Sequence, residues 1–338
     1  MKIITLGIDL AKNVFAVHGV DEFGKVALLR PSVRRDQLLE LIATIPPCVI
    51  GMEACSGAHH WARLFTAHGH TPKLMAPKFV APYRMSGRRG KNDAADAAAI
   101  CEAVQRPKMR FVPIKNVDQQ GVLCLHRVRQ GFVEERTATI NRIRGLLSEF
   151  GLVLPLKADT VRRLAAAALE GLPGWANRAI TDLLAHLQVL DTRVAEYDAH
   201  IKAVARADVR ARRLMERPGI GPTTASALVA TIGNGHEFRC GRQVSAWLGL
   251  VPGQHGTGGK VRLGRITKAG DAYLRTLLIL GARSVLAVAP TKTDRMSRWA
   301  VSLQERRGYG KALVAIAAKN ARMAWAILAK GDAYHPRT

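Results

Sequence analysis

The first 110 residues alternate short apolar runs with amphipathic helical patterns. Strand-like runs cover residues 3–9, 14–20, 25–30, 47–53 and 72–76, and helical patterns cover residues 34–45, 58–69 and 93–105. Runs rich in β-branched and apolar residues favour strands, whereas apolar residues spaced three and four apart favour helices. Their alternation predicts an α/β domain over residues 1–110.

After residues 107–113 the pattern changes to long helices, predicted over residues 118–150, 158–168 and 177–205. The third helix carries an apolar seam in steps of three and four, formed by Ile180, Leu183, Leu187, Leu190, Val194, Tyr197, Ile201 and Val204. Such a seam is typical of coiled-coil packing. Its partner is either the 118–150 helix of the same chain or a second copy of the chain. Residues 111–210 are therefore predicted to form a helical, coiled-coil region.

The third predicted region, residues 211–338, is mainly helical and opens with the sequence RPGIGPTTASALVATIG. Its Gly-Ile-Gly turn precedes a helix, as in helix-hairpin-helix modules. Backbone N–H groups at Gly219 and Gly221 would suit a phosphate. A tight turn alone would also require these glycines. An alanine-rich helix over residues 311–330 is expected to pack on this domain.

A glycine-rich basic segment lies within the third region. Gly253, Gly256, Gly258 and Gly259 surround a single hydroxyl group, that of Thr257, and predict a flexible loop. Five basic residues follow closely: Lys260, Arg262, Arg265, Lys268 and Arg275. We predict that this loop contacts the backbone of DNA.

Four carboxylates form the strongest chemical pattern. Asp9 lies in the first apolar run, whose Gly7 would let another backbone approach, and it is expected in mid-strand of a hairpin formed with the second run. Glu53 ends the fourth run, and Asp93 and Asp96 stand three apart at the start of an alanine-rich helix. A buried carboxylate is costly without a partner, and oxygen ligands are those that Mg²⁺ prefers. The pattern predicts a magnesium site. For the helical pair, the alternative is that Asp93 caps the helix and Asp96 interacts with its dipole.

The charge of the chain indicates what such metals would act on. Lys and Arg number 51 against 26 Asp and Glu, which gives a net charge of +25 and a pI near 10.7. This excess favours nucleic acid as the partner. The basic residues are spread through segments that are 48% hydrophobic overall, so they belong to packed domains rather than to a tail. Aromatic residues make up 5% of the chain, which argues against a platform for stacking bases.

The expected location is cytoplasmic and nucleoid-associated. Met1 and Lys2 lead directly into the first apolar run, which leaves no room for a signal peptide, and no uncharged apolar span of membrane length is evident. Five cysteines without a CxxC pair argue against a disulfide framework and against a zinc site.

Five motifs occur in a recognisable order: GIDLAKNVFAV, MEACSGAHHWA, KNDAADA, PGIGPTTASAL and LGLVPGQHGTGGKVRLGRITKAGDAYLR. Together they resemble the insertion-sequence-110 family of transposases, especially its 1111 subgroup, over nearly the whole chain. The resemblance implies an RNase H-like, RuvC-like N-terminal domain, a coiled-coil insertion and a C-terminal transposase domain with a nucleophilic serine. The Mg²⁺-binding DEDD acids of the family correspond to Asp9, Glu53, Asp93 and Asp96.

The same resemblance implies a mechanism and partners. Family members recombine DNA through a covalent phosphoserine link, guided by a structured non-coding RNA that pairs with both donor and target double-stranded DNA. Their active site combines the acids of one subunit with the serine of another, which implies a homo-oligomer, either a dimer or a tetramer.

The sequence departs from the family pattern at the nucleophile. The family loop supplies a serine beside glycine, whereas this chain reads His255-Gly256-Thr257-Gly258-Gly259. Thr257 carries the only hydroxyl at or beside the expected position. If the family serine corresponds to position 256, Gly256 marks its loss. The chain is therefore a threonine-using enzyme, an inactive copy or a deliberately inactivated variant. Ser245 lies on a helix-like segment and is interpreted as structural.

Two other functions remain open at this point. A RuvC-like, structure-selective endonuclease would use water and two metal ions, and would leave free DNA ends without a protein–DNA adduct. A non-catalytic nucleic-acid scaffold would account for the charge but would leave the buried acids unexplained.

Overall fold

The computed structural model describes residues 2–84 and 92–331. The chain divides into two compact units, Met1–Val117 and Asp118–Thr338. The first unit ends close to the predicted boundary at residue 110. The second unit contains both the predicted helical region and the C-terminal region, and the division between these two at residue 210 remains a prediction.

The first unit is a six-stranded mixed sheet with helices, as the alternating pattern predicts. Its elements are β1 (Thr5–Asp9), β2 (Val14–Val20), β3 (Val26–Arg34), α1 (Leu38–Ala43), β4 (Val49–Glu53), α2 (Ala58–Ala67), β5 (Thr71–Met75), α3 (Pro77–Val80), α4 (Asp93–Val104) and β6 (Phe111–Val112). The strand order is β3-β2-β1-β4-β5-β6. β1 pairs antiparallel with β2 and parallel with β4, which places β1 near the centre of the sheet.

Three details differ from the sequence-based prediction. The third strand continues to Arg34, because Val33 pairs with Phe15 and is buried in the core, so α1 begins at Leu38 rather than at residue 34. Strand β6 has two residues, too few to produce a periodicity. Asp9 is the last residue of β1 and does not lie in mid-strand.

Helix α4 packs closely against the sheet at two glycines. A Cβ atom at Gly7 would lie 2.2 Å from the carbonyl oxygen of Ala97, and one at Gly51 would lie 2.8 Å from the Cβ of Val104. No other residue fits these positions without displacing the helix. The expectation that Gly7 allows another backbone to approach is therefore confirmed. This packing fixes α4 across β1 and β4.

The second unit is mainly helical and contains one β-hairpin. Its elements are α5 (Val117–Ser148), α6 (Ala158–Ala167), α7 (Gly174–Ala207), α8 (Val209–Met215), α9 (Pro222–Ile232), α10 (Gly241–Trp247), β7 (Pro252–Thr257), β8 (Lys260–Ile266), α11 (Ala272–Val288), α12 (Arg295–Arg307) and α13 (Tyr309–Lys330). The first residue of α5 belongs to the first unit. Helices α8 to α13 surround one large apolar core.

The long helices α5 and α7 pair antiparallel within the chain. Arg129 forms an ion pair with Asp198, and Arg136 Nη1 lies 3.4 Å from Asp191 Oδ1. Nearer the end of α5, Ile143 packs in the same buried cluster as residues of α7. Of the two alternatives for the apolar seam of α7, the structure contains the intramolecular one.

Two helical segments, Ala272–Thr291 and Tyr309–Lys330, are long and apolar enough to cross a membrane by length and composition. The sequence predicts no uncharged span of this kind, and both segments do carry basic residues. Each contributes to the core of the second unit, for example through Leu278 and Ile316. Length and composition alone are weak grounds for assigning a membrane span.

A buried histidine connects three helices of the second unit. His126 of α5 lies with Nε2 3.0 Å from Ser226 Oγ and with Nδ1 3.0 Å from the hydroxyl oxygen of Tyr273. Ser226 donates its own proton to the carbonyl of Pro222, so Nε2–H of His126 can donate to Ser226 while Nδ1 accepts from the hydroxyl group of Tyr273. This arrangement suits the neutral imidazole, which is the form that burial favours.

This network predicts a loss of stability in mild acid. Burial, followed by the charge of Arg129, lowers the pKa of His126 from 6.5 to about 4. Between those values the unfolded state takes up a proton that the folded state excludes. Stability is therefore complete above pH 6.5 and falls by about 3 kcal/mol as the pH reaches 4.

Urea denaturation of the wild type and of His126→Gln across this pH range tests the expectation. The difference between their free energies of unfolding should shrink by about 3 kcal/mol towards pH 4. His236→Gln, which alters an exposed histidine, is the control and should follow the wild-type curve. Parallel curves for wild type and His126→Gln would assign the pH dependence to other groups.

Candidate active site

Two of the predicted acids end neighbouring parallel strands. Asp9 is the last residue of β1 and Glu53 the last residue of β4, and the residues before them, Ile8 and Met52, are paired in register. The carboxyl ends of parallel strands meet at one edge of a sheet, where ligands commonly bind in α/β folds. The strand pairing therefore brings these two acids to the same edge.

The other two acids lie in the first turn of α4. The side chain of Asn92 caps this helix, because its Oδ1 accepts a hydrogen bond from the N–H of Ala95 at 2.7 Å. The alternative that Asp93 is the N-cap is therefore wrong. Asp93 is exposed, whereas Asp96 is 7% exposed.

Arg84 links an acid of the sheet to an acid of α4. Its Nη2 lies 3.2 Å from Glu53 Oε1, and its Nε lies 2.7 Å from Asp96 Oδ1. The second contact is an ion pair without the orientation of a hydrogen bond. No sequence pattern distinguishes Arg84, because a single arginine after a Pro-Tyr pair forms no motif in a chain rich in arginine.

The electrostatics of Asp9 report the proximity of all four acids. Its pKa is raised to about 6, first by burial and then by the negative charges of Asp96, Asp93 and Glu53, while Arg84 acts in the opposite direction. One guanidinium therefore does not neutralise the cluster. A site with this excess of buried negative charge favours further cations.

The acids suit Mg²⁺ by their chemistry, although their present arrangement is not that of a closed metal site. Within residues 2–84 and 92–331, no three His, Cys, Asp or Glu side chains are grouped tightly enough to hold a metal ion. The guanidinium of Arg84 lies between Glu53 and Asp96, where it supplies positive charge. Carboxylate oxygens with unneutralised charge fit a hard divalent cation, provided that Arg84 moves aside.

The glycine-rich segment forms a β-hairpin, so the prediction of a flexible loop is wrong. Strands β7 and β8 are joined by Gly258 and Gly259, whose φ angles are +55° and +77°. Two successive residues with positive φ form the tight turn that suits the twist of a hairpin. The sequence does contain an indication of this turn, since Gly-Gly between two strand-like runs is typical of a β-hairpin.

The pairing of the strands gives the hairpin two unlike faces. Thr257 is opposite Lys260, and His255 is opposite Arg262. Because opposite residues lie on the same side of a sheet, these four share one polar face. The other face carries the pairs Gly256–Val261 and Gln254–Leu263. All eight residues are exposed, so the hydroxyl of Thr257 is accessible beside two basic side chains.

The remaining residues predicted to bind nucleic acid differ in their exposure and hydrogen bonding. Arg265 is exposed in β8, and Lys268 follows that strand with a φ of +52°. Arg275 donates from Nη1 to the carbonyls of Leu248 and Ala269, at 2.9 and 3.0 Å. The guanidinium of Arg275 therefore stabilises the segment after β8, which is a structural role.

The two glycines of the Gly-Ile-Gly turn also differ from each other. A Cβ at Gly219 would lie 2.8 Å from the carbonyl oxygen of Gly281, so close packing against α11 explains this residue. Gly221 immediately precedes α9 and has open space around it. Ser245, in α10, is 2% exposed, which agrees with its interpretation as structural.

Comparison with known proteins assigns the chain to a family. A profile described as "Transposase IS116/IS110/IS902 family" matches residues 211–297, and a DEDD transposase profile, described as "Transposase", matches residues 6–151. The chain belongs to the IS110/IS116/IS902 family of transposases. The predicted resemblance is thereby confirmed. The chain is an insertion-sequence transposase, and its DEDD domain implies dependence on a divalent metal ion.

Full-length relatives agree with this assignment. The chain is 46% identical to a "Probable family 20 transposase" from Pseudomonas aeruginosa, covering 99% of this chain and 100% of the relative. It is 42% identical to the "Transposase for insertion sequence element IS1111A" of Coxiella burnetii, covering 97% and 90%. It is 39% identical to the corresponding IS1328 protein of Yersinia enterocolitica, covering 97% and 98%.

Proposed function

We propose that this transposase recombines DNA through a covalent protein–DNA intermediate, with a non-coding RNA from its element guiding the choice of donor and target. The observation that carries the proposal is the gathering of Asp9, Glu53 and Asp96 around Arg84, within the segment that matches the DEDD profile. The exposed Thr257, on the polar face of the β7–β8 hairpin, supplies a nucleophile within the other matched segment.

In the proposed reaction the residues that would hold divalent cations, at the carboxyl edge of the sheet, are Asp9, Glu53, Asp93 and Asp96. Bound Mg²⁺ would withdraw charge from the scissile phosphate and favour loss of a proton from an attacking hydroxyl. With cations bound to the carboxylates, Arg84 would be displaced from Glu53 and Asp96, and its guanidinium could then contact a phosphate oxygen.

The covalent step uses the hydroxyl of Thr257. Its Oγ1 forms a bond to phosphorus, a deoxyribose oxygen leaves and takes up a proton, and the hydroxyl proton passes to a base. Lys260 and Arg262 lie on the same face of the hairpin and neutralise the phosphate during attack. Because one phosphate ester replaces another, the intermediate conserves the bond energy needed to rejoin DNA, and ATP is not required.

A denaturing phenol extraction separates this proposal from cleavage by water. The wild-type chain is incubated with Mg²⁺ and a nicked junction of DNA whose ends are labelled. Recombination through an adduct carries labelled DNA into the protein interphase, whereas a RuvC-like endonuclease leaves free ends in the aqueous phase. Cleavage without any adduct would exclude the covalent route.

The RNA guide and the oligomer are parts of the same proposal. They rest on the family assignment and on the net charge of +25. Sequencing of RNA that co-purifies with the chain should recover a structured transcript from beside its gene. We propose a dimer that forms a tetramer on DNA, and a cytoplasmic, nucleoid-associated location.

The hairpin also predicts how binding depends on salt. Replacing Lys260, Arg262 and Arg265 together by Gln should reduce the slope of log affinity against log salt concentration, by about 0.9 for each lost contact to a DNA phosphate. The control replaces Lys157, Arg163 and Lys202, which are exposed elsewhere in the second unit. Equal slopes for the two triple variants would place the hairpin away from DNA.

A further inference from the structure

Three arginines of the second unit lie around Lys319, at positions away from the β7–β8 hairpin in sequence. Lys319 of α13 lies with Nζ 4.4 Å from the centre of the Trp299 ring of α12. Arg322 stands three residues further along α13, and Arg295 stands four residues before Trp299 on α12. Residues at these spacings share one face of a helix. Because α12 packs against α13, the two basic faces meet.

The fourth member, Arg217, comes from the segment before α9 and is fixed in place. It is 4% exposed, and its Nε donates to Asn320 Oδ1 at 3.1 Å. The amide of Asn320 in turn donates to the carbonyl of Pro218 at 3.0 Å. Asn320 is the neighbour of Lys319 on α13 and is itself fully buried. The arginine is therefore preorganised rather than free to move into solvent.

The cluster concentrates positive charge. Burial, followed by the charges of Arg217, Arg322 and Arg295, lowers the pKa of Lys319 below its ordinary value. The aromatic ring of Trp299 offsets part of this cost, since the face of an indole attracts a cation. Repulsion among four like charges lowers the stability of the fold, and a bound anion would raise it.

We propose that Arg217, Arg295, Lys319 and Arg322 form a binding site for a phosphodiester group of the nucleic acid backbone. The site rests on the proposed function, because it supposes that the chain handles nucleic acid. It lies next to the Gly-Ile-Gly turn, since Arg217 and Pro218 directly precede Gly219. Contacts of basic side chains to phosphates fix the position of a protein on a duplex without reading its sequence.

The exposed members provide a test that does not disturb the core. Arg295→Gln combined with Arg322→Gln removes two charges from the site, and Arg306→Gln combined with Arg307→Gln removes two exposed charges from the end of α12 as the control. Lys319→Gln forms a third variant. Thermal unfolding identifies variants that fold like the wild type. Affinity is then measured across a salt series for a DNA duplex of arbitrary sequence and for a structured RNA.

For the cluster double variant, the slope of log affinity against log salt concentration should fall by about 2 on duplex DNA if both arginines contact phosphates. A reduction confined to one probe identifies DNA or RNA as the source of the phosphate. Slopes equal to those of the control on both probes overturn the site while leaving the proposed function intact. Absence of salt-dependent binding by the wild type would overturn both.

Discussion

Asp9→Asn should abolish strand cleavage while leaving the fold at least as stable as the wild type. Asp9 is half-buried and lies among three other carboxylates, so an uncharged amide removes repulsion and a desolvated charge. The same change removes a ligand for the cation. The lost stabilisation of transition-state charge amounts to several kcal/mol, which corresponds to a rate lower by about a thousandfold.

The measurement pairs an end-labelled cleavage assay in Mg²⁺ with thermal unfolding. Asp36→Asn is the matched control, because Asp36 is an exposed acid of the same unit whose partner is the exposed Arg34. Affinity for nucleic acid should be unchanged or tighter in Asp9→Asn, since a negative charge near phosphate is removed. Cleavage at the wild-type rate by Asp9→Asn would remove the four acids from the mechanism.

The fold was predictable wherever periodicity is strong. Five of the six strands, and long helices such as Val117–Ser148 and Gly174–Ala207, agree with the sequence pattern. The errors arise where contacts between residues distant in sequence determine the secondary structure. Strand β3 extends to Arg34 because Val33 reaches the core, and β6 forms because it pairs with β5. No local sequence pattern indicates either contact.

The candidate site was predictable in its residue types but not in its arrangement. The position of Glu53 at the end of β4 follows from the strand pattern, whereas Asp9 reaches the same edge of the sheet because β1 ends at this residue and pairs in parallel with β4. Arg84 bridges Glu53 of β4 and Asp96 of α4, and no local sequence pattern indicates these contacts. The four glycines of this segment predict flexibility, whereas in the structure Gly258 and Gly259 define the turn of a hairpin.

Substitutions of the proposed nucleophile, Thr257, should also have a large effect, on formation of the covalent protein–DNA adduct. The exposed hydroxyl of Thr257 shares a face with Lys260 and Arg262, but threonine is a secondary alcohol and is stiff at χ1. We therefore expect the wild-type chain to form its covalent adduct weakly. Thr257→Ala should eliminate the adduct, and Thr257→Ser should preserve or increase it. Thr293→Ala, which alters an exposed threonine outside the hairpin, is the control.

Gly256→Ser distinguishes the two explanations of the missing family serine, which are a threonine nucleophile at position 257 and a serine lost from position 256. A Cβ at Gly256 would meet its nearest neighbour, the carbonyl oxygen of Lys260, at 3.4 Å, so the hairpin accommodates a serine there. If position 256 is that of the lost nucleophile, the wild type forms no adduct and Gly256→Ser creates one. Its side chain would lie on the face opposite Thr257, so the two positions present a hydroxyl in different directions. An adduct that persists in Thr257→Ala would contradict both assignments and would require a nucleophile outside the hairpin.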